Sequence, residues 1–175
     1  MHTLMLVDDE EYILRALKRT LGRYGELDIE TYVNPHDALK RARTKNFDLF
    51  LSDYRMPDMD GVALLTELKE LQPESMRLIL SGYTDLEALI GAINRAEIYR
   101  FITKPWQDYE LYVTIKQALQ YRDMMLENRL LADQIREQRM ELNKRKSVLD
   151  RYKEQHPELF KIEWSPDGSI VLDAK

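Results

Sequence analysis

Five short apolar runs, each followed by a stretch of helical period, constrain this chain more than any other feature. The runs are "TLMLV" (3–7), "LDIETYV" (27–33), "DLFLS" (48–52), "MRLIL" (76–80) and "YRFIT" (99–103). The first, third and fourth are almost unbroken in apolar side chains, which suits strands covered on both faces rather than one. Between them, Ile13, Leu14, Leu17 and Leu21 recur at helical spacing until Gly22 and Gly25 supply a stop. Further helices are expected over 35–45, 62–71 with Gln72-Pro73 closing it, and 85–95. A strand-helix series of this kind, connected by right-handed crossovers, builds a parallel sheet with helices on both faces.

Composition removes several alternatives. The 175 residues are 44% hydrophobic and 33% charged, enough for one ordinary core plus a highly charged appendage. A formal net charge of -5 argues against a globally basic surface for nucleic acid or anionic lipid. There is no Cys, hence no disulfide framework, and His2, His36 and His156 are too scattered to form a ligand cluster and read as surface residues. The chain shows neither a signal-peptide pattern nor the run of about 18 apolar residues a membrane span needs. A soluble, cytoplasmic protein is expected.

In open parallel sheets, ligand chemistry collects at the carboxyl ends of the strands. Asp8, Asp9 and Glu10 follow the first run, Asp53 the third, Ser81 and Gly82 the fourth, and Lys104 and Pro105 the fifth. Singly these residues have ordinary readings: Asp8 and Asp9 as helix caps, Ser81 as a turn residue, Lys104 as a surface charge. Their joint occurrence at one edge favours a site. Crowded carboxylates call for a cation, and hard oxygen donors beside a phosphoryl group suit Mg²⁺. A carboxylate can attack phosphorus to form an acyl phosphate, with a hydroxyl and an ammonium steadying the phosphoryl oxygens. Asp53 is the expected nucleophile.

Taken together, "LMLVDDEE", "DLFLSDYRMPDMDG", "LILSGY" and "YRFITKPW" resemble the receiver domain of bacterial two-component response regulators, in order and spacing, over about residues 1–122. The resemblance implies a flavodoxin-like, doubly wound, five-stranded parallel sheet of order 2-1-3-4-5. It implies that Asp53 accepts a phosphoryl group from a sensor histidine kinase, and that Asp8, Asp9, Asp53 and the backbone carbonyl of Arg55 hold Mg²⁺. Ser81 and Lys104 would bind the phosphoryl group, with Lys104-Pro105 a cis peptide. Phe101, three residues before the lysine, takes the place of the aromatic switch residue that acts together with Ser81. Arg55 and Tyr83, two residues beyond Asp53 and Ser81, would tune hydrolysis of the acyl phosphate. The domain would dephosphorylate itself without being a dedicated enzyme. An aspartate-nucleophile phosphatase of another fold is disfavoured, because such enzymes want an Asp where Arg55 stands.

From Asp108 to about Gln155 there is no Gly or Pro, and the residues read as one helix roughly 70 Å long. A heptad register places Tyr121, Asn128, Ile135, Leu142 and Leu149 at a, and Met124, Leu131, Gln138, Arg145 and Tyr152 at d. The seam has polar gaps, with Glu141 at g set against Lys146 at e of a partner. A parallel homodimeric coiled coil is expected, with antiparallel or intramolecular packing as the rival. Beyond His156-Pro157, alternating apolar residues on both sides of Ser-Pro-Asp-Gly suggest a β-hairpin over 157–175, either a capping element or the first strands of an output module. The expected organisation is therefore a receiver over 1–122, a helix over 108–155 continuing into a coiled coil, and the tail. No nucleic-acid-binding or output signature is visible, so direct nucleic-acid contact and membrane association are not expected. The main functional alternative is an interaction scaffold that needs no phosphorylation.

Overall fold

The two-sided burial that the apolar runs demand is met by a five-stranded parallel sheet. The computed structural model describes residues 1–25, 27–82 and 96–157. The helix expected over 85–95, Tyr83 and all but the first residue of the tail hairpin lie outside the described residues. The strands are β1 (His2–Val7), β2 (Leu27–Tyr32), β3 (Leu49–Asp53), β4 (Met76–Gly82) and β5 (Arg100–Lys104), in the order β2-β1-β3-β4-β5. The helices are α1 (Glu11–Gly22), α2 (Pro35–Ala42), α3 (Gly61–Leu71) and α4 (Asp108–Gln155).

Alternation along each strand sorts its side chains between two cores. Met5 and Val7 of β1, Phe50 of β3 and Ile79 of β4 pack with Leu39 of α2 and Leu64, Leu65 and Leu68 of α3. Leu4, Leu6, Leu49, Leu51, Leu78 and Leu80 turn the other way, onto Leu14, Leu17 and Leu21 of α1 and Leu111, Ile115 and Leu119 of α4. At roughly 1.5 to 3 kcal/mol for each fully buried large aliphatic side chain, both layers contribute heavily to stability. The edge strand β5 is different, since only Ile102 among its five residues is buried.

Local chemistry sets the boundaries. Asn34 caps α2 by accepting the His36 N–H at 2.8 Å, with Pro35 opening the helix, and Asp60 caps α3 through Ala63 N–H at 2.8 Å. α2 ends at Ala42 rather than at residue 45, because the chain turns at Arg43 and Lys45 swings back to ion-pair with Asp28 and Glu30 of β2. β4 runs two residues longer than its apolar core, through Ser81 and Gly82, and β5 starts and ends one residue later than expected.

The chain divides into two units, Met1–Glu127 and Asn128–Lys175. The first carries the sheet and the buried turns of α4. In the second, the described residues are helical to Gln155, and Leu130, Leu131, Ile135, Met140, Leu142, Val148, Leu149 and Tyr152 are all exposed. Glu141 pairs with Arg145 of its own helix at 2.5 Å, so the contact expected between Glu141 and a partner's Lys146 has an intrahelical competitor. No helix among the described residues is long and apolar enough to cross a membrane.

Candidate functional site

The strand order reverses its direction of growth between β1 and β3, and the crevice this leaves opens at their carboxyl ends. Asp53 is the last residue of β3 and only 6% exposed; Asp8 directly follows β1 and is fully buried. Lys104 ends β5 and reaches back across the sheet, placing Nζ 2.7 Å from Asp8 Oδ2 and 2.5 Å from Asp53 Oδ1. Two carboxylates brought in by different strands thus share one ammonium. The remaining oxygens are satisfied by backbone donors: Asp8 Oδ1 accepts the Glu10 N–H at 2.9 Å, and Asp53 Oδ2 accepts the Arg55 N–H at 2.8 Å.

Burial pushes the Asp8 carboxyl above its ordinary range, more than the hydrogen bonds from Lys104 and Glu10 pull it down, and the neighbouring charge of Asp53 adds to the rise. Burial alone would lower the Lys104 ammonium, but its hydrogen bonds to Asp53 and Asp8 outweigh that and raise it. Of the three groups, the Lys104 side chain, at 22% exposure, is the one that meets solvent most.

Ser81 lies one residue beyond Leu80, the register partner of Asp53, and opposite Thr103 of β5. It is buried, and its Oγ has no hydrogen-bond partner among the described residues. A buried hydroxyl left unpaired costs about 1 to 3 kcal/mol, which an incoming acceptor would recover. Asp9 is exposed, and among the described residues no three acidic or histidine side chains are drawn together as a metal cluster. Even so, the donors present fit a hard divalent cation: Asp8 and Asp53 already converge on one positive charge, and both offer oxygen only. The Lys104-Pro105 peptide bond is cis. Phe101 is 38% exposed on β5, facing away from the core that holds Ile102.

Several contributors carry no mark in the sequence as read above. A Cβ placed on Gly61 would run into the backbone carbonyl of Asp53, so only glycine lets the start of α3 seat against that residue. Gly61 N–H donates to Tyr54 O at 2.9 Å and Tyr54 N–H to Leu80 O at 2.8 Å, fixing the turn after Asp53 between α3 and β4. The Asp-Gly ending of "MPDMDG" was the available signal. Beside Lys104, a shallow and mainly apolar groove is lined by Glu10, Tyr12, Ile13, Pro105 and Trp106.

Comparison with known proteins agrees with this geometry. The response regulator receiver domain family matches residues 4–116. The hydrogenase transcriptional regulatory protein HoxA of Bradyrhizobium diazoefficiens is 39% identical over 118 residues, covering 67% of this chain and 24% of that protein. The DNA-binding transcriptional regulator NtrC of Proteus hauseri is 33% identical over 124 residues, covering 70% of this chain and 26% of that protein. The chain therefore spans about a quarter of the length of these curated relatives. Among solved structures, the signal receiver domain of an HD domain-containing protein from Pseudomonas fluorescens Pf-5 superposes with a TM-score of 0.68 at 33% identity, covering 72% of this chain and 92% of that one. An uncharacterized protein from Neptuniibacter caesariensis gives 0.68 at 40% identity, covering 73% and 93%. With the Asp8-Lys104-Asp53 arrangement at the ends of a 2-1-3-4-5 sheet and a family match over most of its length, this chain belongs to the response regulator receiver domain family.

Proposed function

We propose that this chain receives a phosphoryl group on Asp53 from a sensor histidine kinase and passes the change on through α4. The observation that carries the reading is the single ammonium shared by Asp8 and Asp53 beside the buried hydroxyl of Ser81, which has no partner among the described residues. Receiver domains of this family generally bind Mg²⁺. Asp8, Asp9, Asp53 and the carbonyl of Arg55 would hold it here, where it would neutralise charge on the phosphoryl oxygens. An Asp53 oxygen attacks phosphorus as the bond from phosphorus to the donor's imidazole nitrogen breaks, and the imidazole leaves with the electron pair. Lys104 then exchanges a carboxylate partner for a phosphoryl oxygen, and Ser81 Oγ donates a hydrogen bond to another. The groove of Tyr12, Ile13 and Trp106 gives a donor protein an apolar surface against the site.

Modification replaces the single charge of the Asp53 carboxylate by an acyl phosphate carrying roughly 1.5 to 2 negative charges, next to buried Asp8 and the partly exposed Lys104. Ser81 and Lys104 are drawn inward, and Phe101 moves into the space this leaves. The outcome is a shift of population between two packings. Output runs through a parallel homodimer along the seam of Tyr121, Met124, Asn128, Leu131, Ile135, Leu142 and Leu149, the exposure of whose apolar members supports a partner. A downstream output module, as the names of the transcriptional regulators among the relatives suggest, would read that pairing. The test measures mass and association state with acetyl phosphate or beryllofluoride plus Mg²⁺, on the parent chain and on Asp53→Ala. A phosphoryl adduct and a changed association confined to the parent are expected; neither change in the parent overturns the reading in favour of a phosphorylation-independent scaffold.

A further inference from the structure

The seam opens with a residue that already has a partner. Tyr121, the first a position, stacks its ring on Tyr99 with centroids 5.5 Å apart and planes inclined by 28°. Tyr99 stands immediately before β5 and is held by its own N–H, which donates to Arg77 O at 2.8 Å. The next residue, Arg100, reaches α4 one turn earlier, donating to Gln117 Oε1 at 3.3 Å, with its guanidinium 5.8 Å from the Tyr99 ring. Gln117 and Tyr121 share a helix face, so the start of β5 clasps α4 at two successive turns. Leu111, Ile115, Ala118 and Leu119 are meanwhile committed to the core, whereas Tyr121 and Met124 are 42% and 51% exposed.

We propose that Tyr99 and a second copy of this chain compete for Tyr121, so that β5 controls whether the first layer of the helix seam closes. This rests on the parallel dimer proposed above. An a-position side chain must insert as a knob between four residues of the facing helix, which a ring stacked on Tyr99 cannot do at the same time. The competition has a built-in link to the phosphoryl site, because Tyr99 adjoins one end of β5 and Lys104 is the other. Among the described residues β5 is an edge strand paired to β4, with Ile102 the one buried residue of its five, which leaves it free to respond when the partners of Lys104 change. An inward pull on Lys104 is carried along β5 to Tyr99, releasing Tyr121 to the seam.

The chain has no Cys, so single cysteines report the seam cleanly. The full chain carrying Met124→Cys, beside the first layer, or Leu142→Cys, far along the seam, is oxidised with copper phenanthroline and the rate of disulfide-linked dimer formation is measured. Tyr99→Leu is expected to speed crosslinking at 124 by about two- to tenfold, the range an ordinary aromatic pair corresponds to, and to leave the rate at 142 unchanged. Beryllofluoride with Mg²⁺ should speed the 124 crosslink in the parent and add little in Tyr99→Leu. Tyr121→Leu, which keeps an apolar a residue without the stack, should behave like Tyr99→Leu and serves if that variant fails to fold. Crosslinking at 142 in every form, with a rate at 124 indifferent to both substitutions, overturns the competition and leaves the dimer standing. No crosslink at 142 in any form overturns the parallel dimer, and the competition with it.

Discussion

Replacing Lys104 by Met keeps the unbranched stem of the side chain, less its terminal ammonium, and removes the one charge that Asp8 and Asp53 share. Asp8 is fully buried and Asp53 nearly so, while the Lys104 side chain is 22% exposed. Breaking a buried pair by removing one partner costs about 3 to 5 kcal/mol, and the partial exposure of the lysine puts this case near the lower value. For an m of about 2 kcal/mol/M, the urea midpoint should fall by roughly 1.5 M with unchanged slope, read at fixed protein concentration. In an Asp53→Asn background the same substitution should cost about 1 to 2 kcal/mol less, since only one carboxylate is then left uncompensated. The sign with pH follows from Asp8. Its folded pKa is raised by burial and rises further without Lys104, so ionised Asp8 opposes folding above that value. Acidification should therefore narrow the gap between variant and parent, until the pH falls below the ordinary carboxylate pKa of about 4. A Lys104→Met protein as stable as the parent at neutral pH, or a penalty independent of both pH and Asp53, would refute the shared-charge account.

Three further outcomes follow from other parts of the molecule. Gly61→Ala should destabilise by about 1 to 3 kcal/mol in urea and lower the yield of phosphorylated protein, because the new methyl group displaces the Asp53 carbonyl; a neutral substitution contradicts the close approach. Glu30 is held well below the usual carboxylate range, foremost by the guanidinium of Arg41, with Tyr32 and Lys45 assisting. Its contribution should be complete above the ordinary carboxylate pKa and fade as pH falls toward its folded value, so the stability difference from Glu30→Gln, about 1 to 2 kcal/mol at pH 6, should shrink on acidification. Arg55→Ala and Tyr83→Ala should each change the decay rate of the acyl phosphate followed by intact mass, and equal rates in both variants and the parent remove the role in tuning hydrolysis.

The fold was legible because two-sided burial leaves a direct trace in sequence. "LMLV" and "LFLS" have to serve two cores, and the residues just after such runs have to stand at one edge. What stayed hidden depends on contacts between residues far apart in the chain. Gln72, read only as the end of a helix, is buried and ties three segments together: its Oε1 accepts the Phe47 N–H at 2.8 Å, and its Nε2 donates to Ala42 O at 2.6 Å and Lys45 O at 2.8 Å. Arg77 looks like a polar interruption in an apolar strand, yet its guanidinium is buried, donating to Ala96 O at 2.8 Å and Ser75 O at 2.6 Å. No spacing rule announces either. Phe101 shows the opposite limit: its place before Lys104 was plain, but its 38% exposure depends on β5 being an edge strand. The ion-pair network of Asp28, Glu30, Arg41 and Lys45 along the other edge, β2, was equally invisible, since it needs the register of α2 over that strand.

The most direct test of the central claim is the site of modification. The chain is incubated with acetyl phosphate and Mg²⁺, reduced with borohydride to trap the acyl phosphate as an alcohol, digested, and sequenced by tandem mass spectrometry. The account predicts a single trapped residue, Asp53, in the peptide containing "LFLSDYRMPDMDG". Trapping at Asp8 or Asp9 instead, or none at all in a folded protein, would contradict it.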